Sequence, residues 1–317
     1  MNITVISPAA KQSRSGNRVT AVRWARILTE LGHHVRVEEG QKSHGADLLV
    51  AIHAYRSAQA IDNWISSSPD RPLVVLLAGT DIYRFQHSHA DITLASMFAA
   101  QRLVGLHDDV GDDIPAQFRA KLRIIHQSAA PLPRPRHAAR RHFDICVVGH
   151  LRDEKDPFRA ARAAAQLPAS SKVRIVHLGK AHSEQYAKDA RDEMSVNARY
   201  QWRGEVAGAQ VRRVFARCQA MVMSSVMEGG ANVVSEAIVA GLPVLASDIS
   251  GNRGLLGAGH PAYYRLEDSA DLARLMVRAE TELGFLQSVR AHAETRRHLF
   301  TPQRERAAWA ALLDELR

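Results

Sequence analysis

Apolar positions in the first half of the chain come in short runs separated by amphipathic stretches. Residues 3–6 (ITVI), 35–37 (VRV), 48–52 (LLVAI), 73–78 (LVVLLA), 103–106 (LVGL) and 122–125 (LRII) read as buried strands. Between the first two, Trp24, Ile27, Leu28 and Leu31 follow the i, i+3, i+4, i+7 spacing of one helix face, and Gly32 stands where a helix C-terminus favours glycine. Strand, helix and strand in such short succession predict parallel βαβ units.

Residues 130–141 (APLPRPRHAARR) break the pattern with three prolines and four arginines, a density that neither a helix nor a central strand tolerates, so they predict a linker. A second series follows, with strands expected at 143–148, 173–178, 220–223 and 243–246 and helices at 156–167 and 209–218. The expected fold class is α/β: two Rossmann-like, doubly wound domains facing a central cleft. The boundaries are residues 1–135 and 140–300, and a final helix over 301–317, after Thr301-Pro302, is expected to pack back on the first domain. In such folds ligands lie beyond the C-terminal ends of the strands, which directs attention to the loops there.

Composition narrows the class of protein. With 46% apolar and 24% charged residues in 317, the chain has the profile of a globular protein, which excludes disorder, collagen-like repeats and a disulfide scaffold. Its 42 Lys+Arg against 33 Asp+Glu leave a net charge of +9. Split at residue 138, the halves carry +4 and +5, so there is no concentrated basic arm. With no zinc-finger spacing or aromatic RNA-binding signature either, nucleic acid is not an expected partner. No stretch approaches ~20 apolar residues and no charged-then-apolar leader precedes ITVI, so a cytoplasmic location without stable membrane association is expected. Cys146 and Cys218 sit in apolar runs and are expected as buried free thiols. Oligomeric state is left open.

Five strand-end segments carry candidate chemistry. In SSVMEGGANVVSEAIVAGLPVLASD, Glu228 and Glu236 bracket Gly229-Gly230 and a helix expected to start near Ala231–Asn232. Glycines let the backbone approach a ligand, the amides of a helix start favour an anion, and a carboxylate further along can accept from ribose hydroxyls. Two solvated glutamates are the bland alternative. In GHLRDEKDP, Arg152 and Lys155 stand three apart at an expected helix start, where both can address one anion; a solvated basic turn is the alternative. After ITVI, Ser15, Gly16, Asn17 and Arg18 open the first helix with Lys11 and Arg14 nearby, a nest suited to a small oxyanion. His53 and Arg56 follow LLVAI, and Gly79, Thr80, Asp81 and Tyr83 follow VVLLA. A histidine after a strand is often a packing residue, but several polar strand ends converging strengthen the functional alternative. The run Asp108, Asp109, Asp112, Asp113 reads as a polar surface loop. No D-x-D and no G-x-G-x-x-G after the opening strand occur, so neither a metal nor a dinucleotide is expected.

The strand, Ser-Ser, E-G-G, helix and A-G-L-P-V-L-A-S-D order resembles the donor-binding signature of retaining, family-4-type GT-B glycosyltransferases. SGNRVTAVRWARIL, AIHAYRS, AGTDIYR, HQSA and VVGHLRDEKDPFRAA extend the likeness over nearly the whole chain to one branch, the selenosugar synthases of selenoneine biosynthesis. Two departures are visible: Gly229-Gly230 replaces an aromatic residue and a single glycine, and Ala78 stands where the branch has threonine. The resemblance implies transfer of a sugar from UDP-N-acetylglucosamine or UDP-glucose to selenophosphate, giving a 1-selenosugar, UDP and phosphate without cofactor. It implies Arg152 and Lys155 on the diphosphate, Glu228 near the donor sugar, Gly229, Gly230, Asn232, Val233 and Val234 facing sugar and diphosphate through their amides, Glu236 on the ribose, and Gly204 and Val206 on uracil. It implies Ser15, Gly16, Asn17, Arg18, Arg56 and Thr80 on selenophosphate, with His53 and Asp81 orienting substrate or assisting phosphoryl loss. The alternatives are a GT-B enzyme with a hydroxyl acceptor, lipid or polysaccharide, and a nucleotide-sugar epimerase or binder.

Overall fold

The structure, a computed structural model, describes residues 1–13, 15–40, 45–138 and 141–316. It divides into two compact units: Met1–Ser128 with Thr301–Arg317, and Ala129–Phe300. Arg14 of the expected oxyanion nest lies outside the described residues.

The first unit is built on six parallel strands: β1 (Asn2–Ser7), β2 (His34–Glu39), β3 (Leu48–Ile52), β4 (Leu73–Leu76), β5 (Arg102–Gly105) and β6 (Leu122–Ile124), in the order β2-β1-β3-β4-β5-β6. All five β3 residues are buried, as expected of a strand covered on both faces, whereas β2 at the edge has only half-buried and exposed positions. Leu48, Val50 and Ile52 pack with Trp24, Leu28, Trp309 and Leu312, from the helices Gly16–Glu30 and Pro302–Asp314. Leu49 and Ala51 face the other way, toward Ile61, Trp64 and Met97 of the helices Ala58–Ser67 and Ala90–Ala99. The last helix is held to the first by an edge-to-face contact of Trp24 with Trp309, ring centroids 4.7 Å apart.

The second unit has β7 (Phe143–Val148), β8 (Val173–Leu178), β9 (Tyr200–Trp202), β10 (Ala220–Met223), β11 (Val244–Ser247) and β12 (Tyr263–Tyr264), all parallel, in the order β12-β11-β10-β7-β8-β9. Residues alternate here too: Ile145, Val147, Ala220 and Val222 enter one core, Cys146, Met221 and Met223 the other. Cys146 and Cys218 are buried free thiols, and burial beside Cys218 pushes the Cys146 thiol up.

Three local features differ from the pattern expected. Strands β9 and β12 are absent from the hydrophobic pattern because two or three residues carry no legible period. The helix expected over 156–167 spans only Arg159–Ala165. Before it, Asp153–Lys155 forms a single 3-10 turn and Asp156 takes the left-handed conformation, φ 41°. Pro157 disfavours right-handed helical backbone at Asp156, so the helix does not begin there.

Where the first unit's strands end, one carboxylate ties the chain together. Glu305 is buried, and its Oε2 accepts from the Ser128 amide (2.8 Å) and hydroxyl (2.6 Å) and lies 3.5 Å from Arg23 Nη1. Arg23 in turn donates to the Ser128 carbonyl. Removing the carboxylate leaves the Ser128 amide and hydroxyl without their acceptor and half-buried Arg23 without its counter-charge. Glu305→Ala is expected to lose about 3 kcal/mol of stability, measured by urea denaturation, with Glu305→Gln losing less.

Candidate functional site

In the second unit the strand order reverses between the neighbours β7 and β10, the point in an open α/β sheet beyond whose C-terminal strand ends ligands bind. Both candidate charges meet there. Lys155, after β7, pairs through Nζ with Oε1 of Glu228, after β10, and Ser225 Oγ donates to the same oxygen. The loops are also tied by backbone: the Val226 amide donates to the Glu154 carbonyl (3.0 Å), and Ser224 Oγ donates to the Lys155 carbonyl (2.9 Å). A third strand end closes in behind. A Cβ on Gly251 would lie 2.1 Å from the Glu228 carbonyl oxygen, so this position admits only glycine while the loops keep their places. Ser247 Oγ donates to the Ser225 carbonyl (2.6 Å) and accepts from Asn252 Nδ2 (3.0 Å).

Arg152 is half-buried in extended backbone before the 3-10 turn, with Nε 3.8 Å from Glu154 and no hydrogen-bond partner. Arg152 and Lys155 therefore share a tight turn rather than a helix face, which corrects the expected helix start.

The turn they occupy is set from the neighbouring strand. His177 on β8 is buried, and its Nδ1 accepts from the Tyr200 hydroxyl (2.9 Å) while Nε2–H donates to the Gly149 carbonyl (3.1 Å). These partners assign the neutral tautomer, and burial pulls the imidazole pKa down to about 4. Gly179 packs so closely on Gly149 that a Cβ would sit 1.8 Å from the Gly149 oxygen, and Trp202 Nε1 anchors the Gly179 carbonyl at 2.8 Å.

The helix Asn232–Val239 starts after Gly229 and Gly230, the latter at φ 127°, a conformation that excludes most other residues. Asn232 and Glu236, four apart, share a helix face and are both half-buried, and Asn232 Oδ1 is buried without a hydrogen-bond partner. Val233 is half-buried. Val234 corrects the expected set, because its side chain is in the core and its amide already donates to the Ala231 carbonyl at 2.9 Å. Gly204, at φ 66°, and Val206 lie half-buried after β9, and the Gly204 carbonyl accepts from the Gly179 amide (2.8 Å).

In the first unit β1, β3 and β4 are neighbours, so their C-terminal loops lie side by side. Ser15 caps the helix Gly16–Glu30 with its backbone extended and makes no side-chain cap bond. Ser15 Oγ and Arg18 Nε and Nη1 are buried without hydrogen-bond partners among the described residues. These are three polar groups beside the positive end of a helix, with Gly16 exposed and Asn17 half-buried in its first turn.

His53, after β3, is buried and holds a left-handed backbone, φ 79°, that is strained for a non-glycine residue. Its Nδ1 accepts from the Arg56 amide (3.2 Å), so the proton is on Nε2, which donates to Thr80 Oγ1 at 2.7 Å. Burial pulls the His53 pKa down, partly offset by Asp81. The Thr80 hydroxyl, half-buried, is thereby aimed by a neutral imidazole, and Arg56 is exposed. Asp81 is different from expectation. Fully buried, its Oδ1 accepts from the Gly79 (2.7 Å) and Ile82 (3.1 Å) amides and its Oδ2 from those of Ala54 and Ala78 (both 3.0 Å). A carboxylate spent on four amides clamps two loops and is not a group that orients substrate.

Two further histidines at strand ends, His107 and His126, are not among the candidate site residues. The Tyr83 hydroxyl donates to Asp113 (2.8 Å) and lies 3.1 Å from buried His107, which follows β5. His126, after β6, has Nε2 3.1 Å from Asp108 Oδ1. The acidic run is therefore partly engaged rather than a plain surface loop. The pattern that marks His53, a polar residue directly after an apolar run, marks His107 and His126 equally. Among the described residues no group of three or more His, Cys, Asp or Glu comes together to hold a metal, and no helix is long and apolar enough to cross a membrane.

Residues 134–282 match the protein family described as "Glycosyl transferases group 1". Among solved structures, Anabaena Alr3699/HepE in complex with UDP-glucose is similar at a TM-score of 0.80 and 17% identity, covering 99% of this chain and 100% of that one. Sucrose-phosphate synthase from Thermosynechococcus elongatus is similar at 0.78 and 13%, covering 99% and 98%. A glycosyltransferase from Rickettsia africae ESF-5 follows at 0.73 and 12%, covering 99% and 98%. Two six-stranded parallel sheets with flanking helices match the GT-B, two-domain Rossmann-like fold of these neighbours.

Two outcomes test the turn that carries Arg152 and Lys155. Gly179→Ala is expected to lose about 3 kcal/mol in thermal or urea unfolding, because the new methyl overlaps the Gly149 carbonyl. For His177, the unfolded chain binds a proton near pH 6.5 while the folded site resists until about 4. The neutral imidazole therefore adds stability in full above pH 6.5, and that contribution is lost as pH falls from 6.5 toward 4. Urea midpoints should drop over this window in the wild type and drop less steeply in His177→Gln.

Proposed function

We propose that this chain, whose residues 134–282 match the glycosyl transferases group 1 family, transfers a sugar from a UDP-sugar, UDP-N-acetylglucosamine or UDP-glucose, to selenophosphate. The single observation that carries the donor half is the meeting of the β7 and β10 loops at the reversal of strand order, where Lys155 pairs with Glu228 beside Arg152. A nucleoside diphosphate brings negative charge to a place where two cations stand at the end of a sheet. The neighbouring helix start, Gly229 to Val233, offers close backbone approach and the positive end of a dipole, and Glu236 on the same helix takes the ribose. Gly204 and Val206 take the base. That Anabaena Alr3699/HepE is seen with UDP-glucose supports a UDP-sugar as donor.

In the acceptor half, Ser15, Gly16, Asn17 and Arg18 bind the phosphate oxygens of selenophosphate. The support is the unpartnered Ser15 hydroxyl and Arg18 guanidinium edge at the helix start. Thr80, aimed by His53, and Arg56 add a donor and a charge, while Asp81 serves as the clamp that keeps both loops in place. Selenium in selenophosphate is already an anionic, polarisable nucleophile, so positioning and charge stabilisation suffice and no strong base is needed.

The chemistry runs in two bond exchanges. Selenium forms a bond to the anomeric carbon as the bond from that carbon to the UDP oxygen breaks, and the electron pair leaves with UDP, where Arg152 and Lys155 stabilise the growing charge. Water then cleaves the phosphorus–selenium bond, releasing phosphate and the 1-selenosugar as its selenol or selenolate. One UDP-sugar, one selenophosphate and one water give one selenosugar, one UDP and one phosphate. The charge on the departing diphosphate is met by side chains, so no divalent ion is required.

The test is incubation with UDP-sugar and selenophosphate followed by mass spectrometry. The expected result is a selenosugar with stoichiometric UDP, undiminished in excess chelator. Arg152→Ala with Lys155→Ala should reduce the rate by about 100-fold or more. UDP release with a hydroxyl acceptor and none with selenophosphate would retain the donor half and overturn the acceptor half. An unchanged rate in the double variant would overturn the role given to the basic turn.

A further inference from the structure

The arginine-rich linker is the part of the sequence that this function leaves unused. Part of it is docked on the second unit. The His137 amide donates to the Ala216 carbonyl (2.8 Å), and the Arg136 guanidinium reaches three further carbonyls. Nε donates to Phe215 (3.1 Å), Nη1 to Gly241 (2.7 Å) and Nη2 to Cys218. These oxygens lie at the C-terminal ends of the helices Gly208–Arg217 and Asn232–Val239, where a cation is favoured. They take three of the five N–H donors of a guanidinium and leave two.

Arg136 forms one wall of a cavity of about 320 Å³, lined otherwise by Ala138, Ala240, Gly241 and Arg290. Arg290 comes from the helix Phe285–Arg296 and is exposed. Neither arginine has a carboxylate within ion-pair distance among the described residues, whereas Arg159 and Arg174 of the same unit each have one. Among the described residues, the remaining lining is small and uncharged. Gly241, at φ 65°, keeps its wall bare, since even a Cβ there would meet nothing within 4 Å.

We propose that the cavity between Arg136 and Arg290 is a second binding site, for a phosphate monoester. Two like charges face one space with no acid to offset them, and an oxyanion ligand removes that repulsion while taking the donors the carbonyls leave over. The repulsion is visible in Arg136, whose pKa is lowered to about 10 by burial and by Arg290. A volume at the lower end of the range for small-molecule sites accommodates a phosphate with a short organic group attached. The site is separate from the basic turn of Arg152 and Lys155, which lies beyond the C-terminal ends of β7 and β10, whereas this cavity sits at the helix C-termini of Gly241 and Cys218.

Calorimetric titration with glycerol phosphate tests the site, performed on the Arg18→Ala/Arg152→Ala/Lys155→Ala variant so that neither the helix start at Ser15–Arg18 nor the basic turn contributes. Saturable one-to-one binding is expected, weakened about tenfold or more by adding Arg290→Ala. Ala138→Glu, which places a carboxylate at the exposed rim and leaves both arginines intact, should abolish it. Ala138 and Arg290 are both exposed, so these variants should keep the parent's melting temperature. Absence of saturable binding, or equal affinity with and without Arg290, would overturn the proposal. Because the titration uses neither UDP-sugar nor selenophosphate, its outcome is independent of the proposed reaction.

Discussion

A parallel sheet buried on both faces can present polar groups only at its ends. Every strand of both sheets runs in one direction, helices cover both faces, and the strand interiors are occupied by side chains such as Leu48–Ile52 and Ala220–Met223. The chemistry of this protein is therefore pressed into the loops that leave the strands, and those loops must be held by contacts of their own. Much of what is unusual in the structure, glycines that admit no Cβ, buried histidines of fixed tautomer and a carboxylate shared among four amides, serves that purpose.

The two units solve the problem with different means. In the second unit backbone meets backbone: Gly179 lies against Gly149 and Gly251 against Glu228, so that the basic turn and the glutamate are located by packing. In the first unit a buried charge holds the loops. Asp81 draws four amides from two loops to itself, and the strained His53 backbone persists because both its neighbours and its ring are pinned. Each side chain proposed to reach a ligand is thus backed by one that is not. Arg152 and Lys155 depend on His177, and Thr80 depends on His53.

The legibility of these parts differed for physical reasons. Buried strands of four to six residues stand out in a sequence because a short run of consecutive apolar residues between turn-forming segments suits a strand covered on both faces. The short edges β9 and β12 did not stand out, since two or three residues cannot establish a period. Arg152, Lys155, Glu228 and Glu236 were legible from residue type and place after a strand. The 3-10 turn was not, although Pro157 was there to signal it. Asp81 was legible as important but not in its role, because a sequence shows a carboxylate without showing what donates to it. His107 and His126 obey the same rule as His53 and are legible by it.

The sequence by itself determined the fold class, the alternation of strands and helices and the positions at which polar residues leave the sheets, because hydrophobic periodicity is a local property written into successive residues. The tertiary structure alone decided which of those residues meet. Lys155 and Glu228 are 73 positions apart and Gly149 and Gly179 are 30 apart, and their approach follows from strand order, which no local pattern records. The same holds for Arg136 and Arg290. In sequence they belong to a charge excess without assignment, and only the docking of the linker on the helix ends puts them across one cavity.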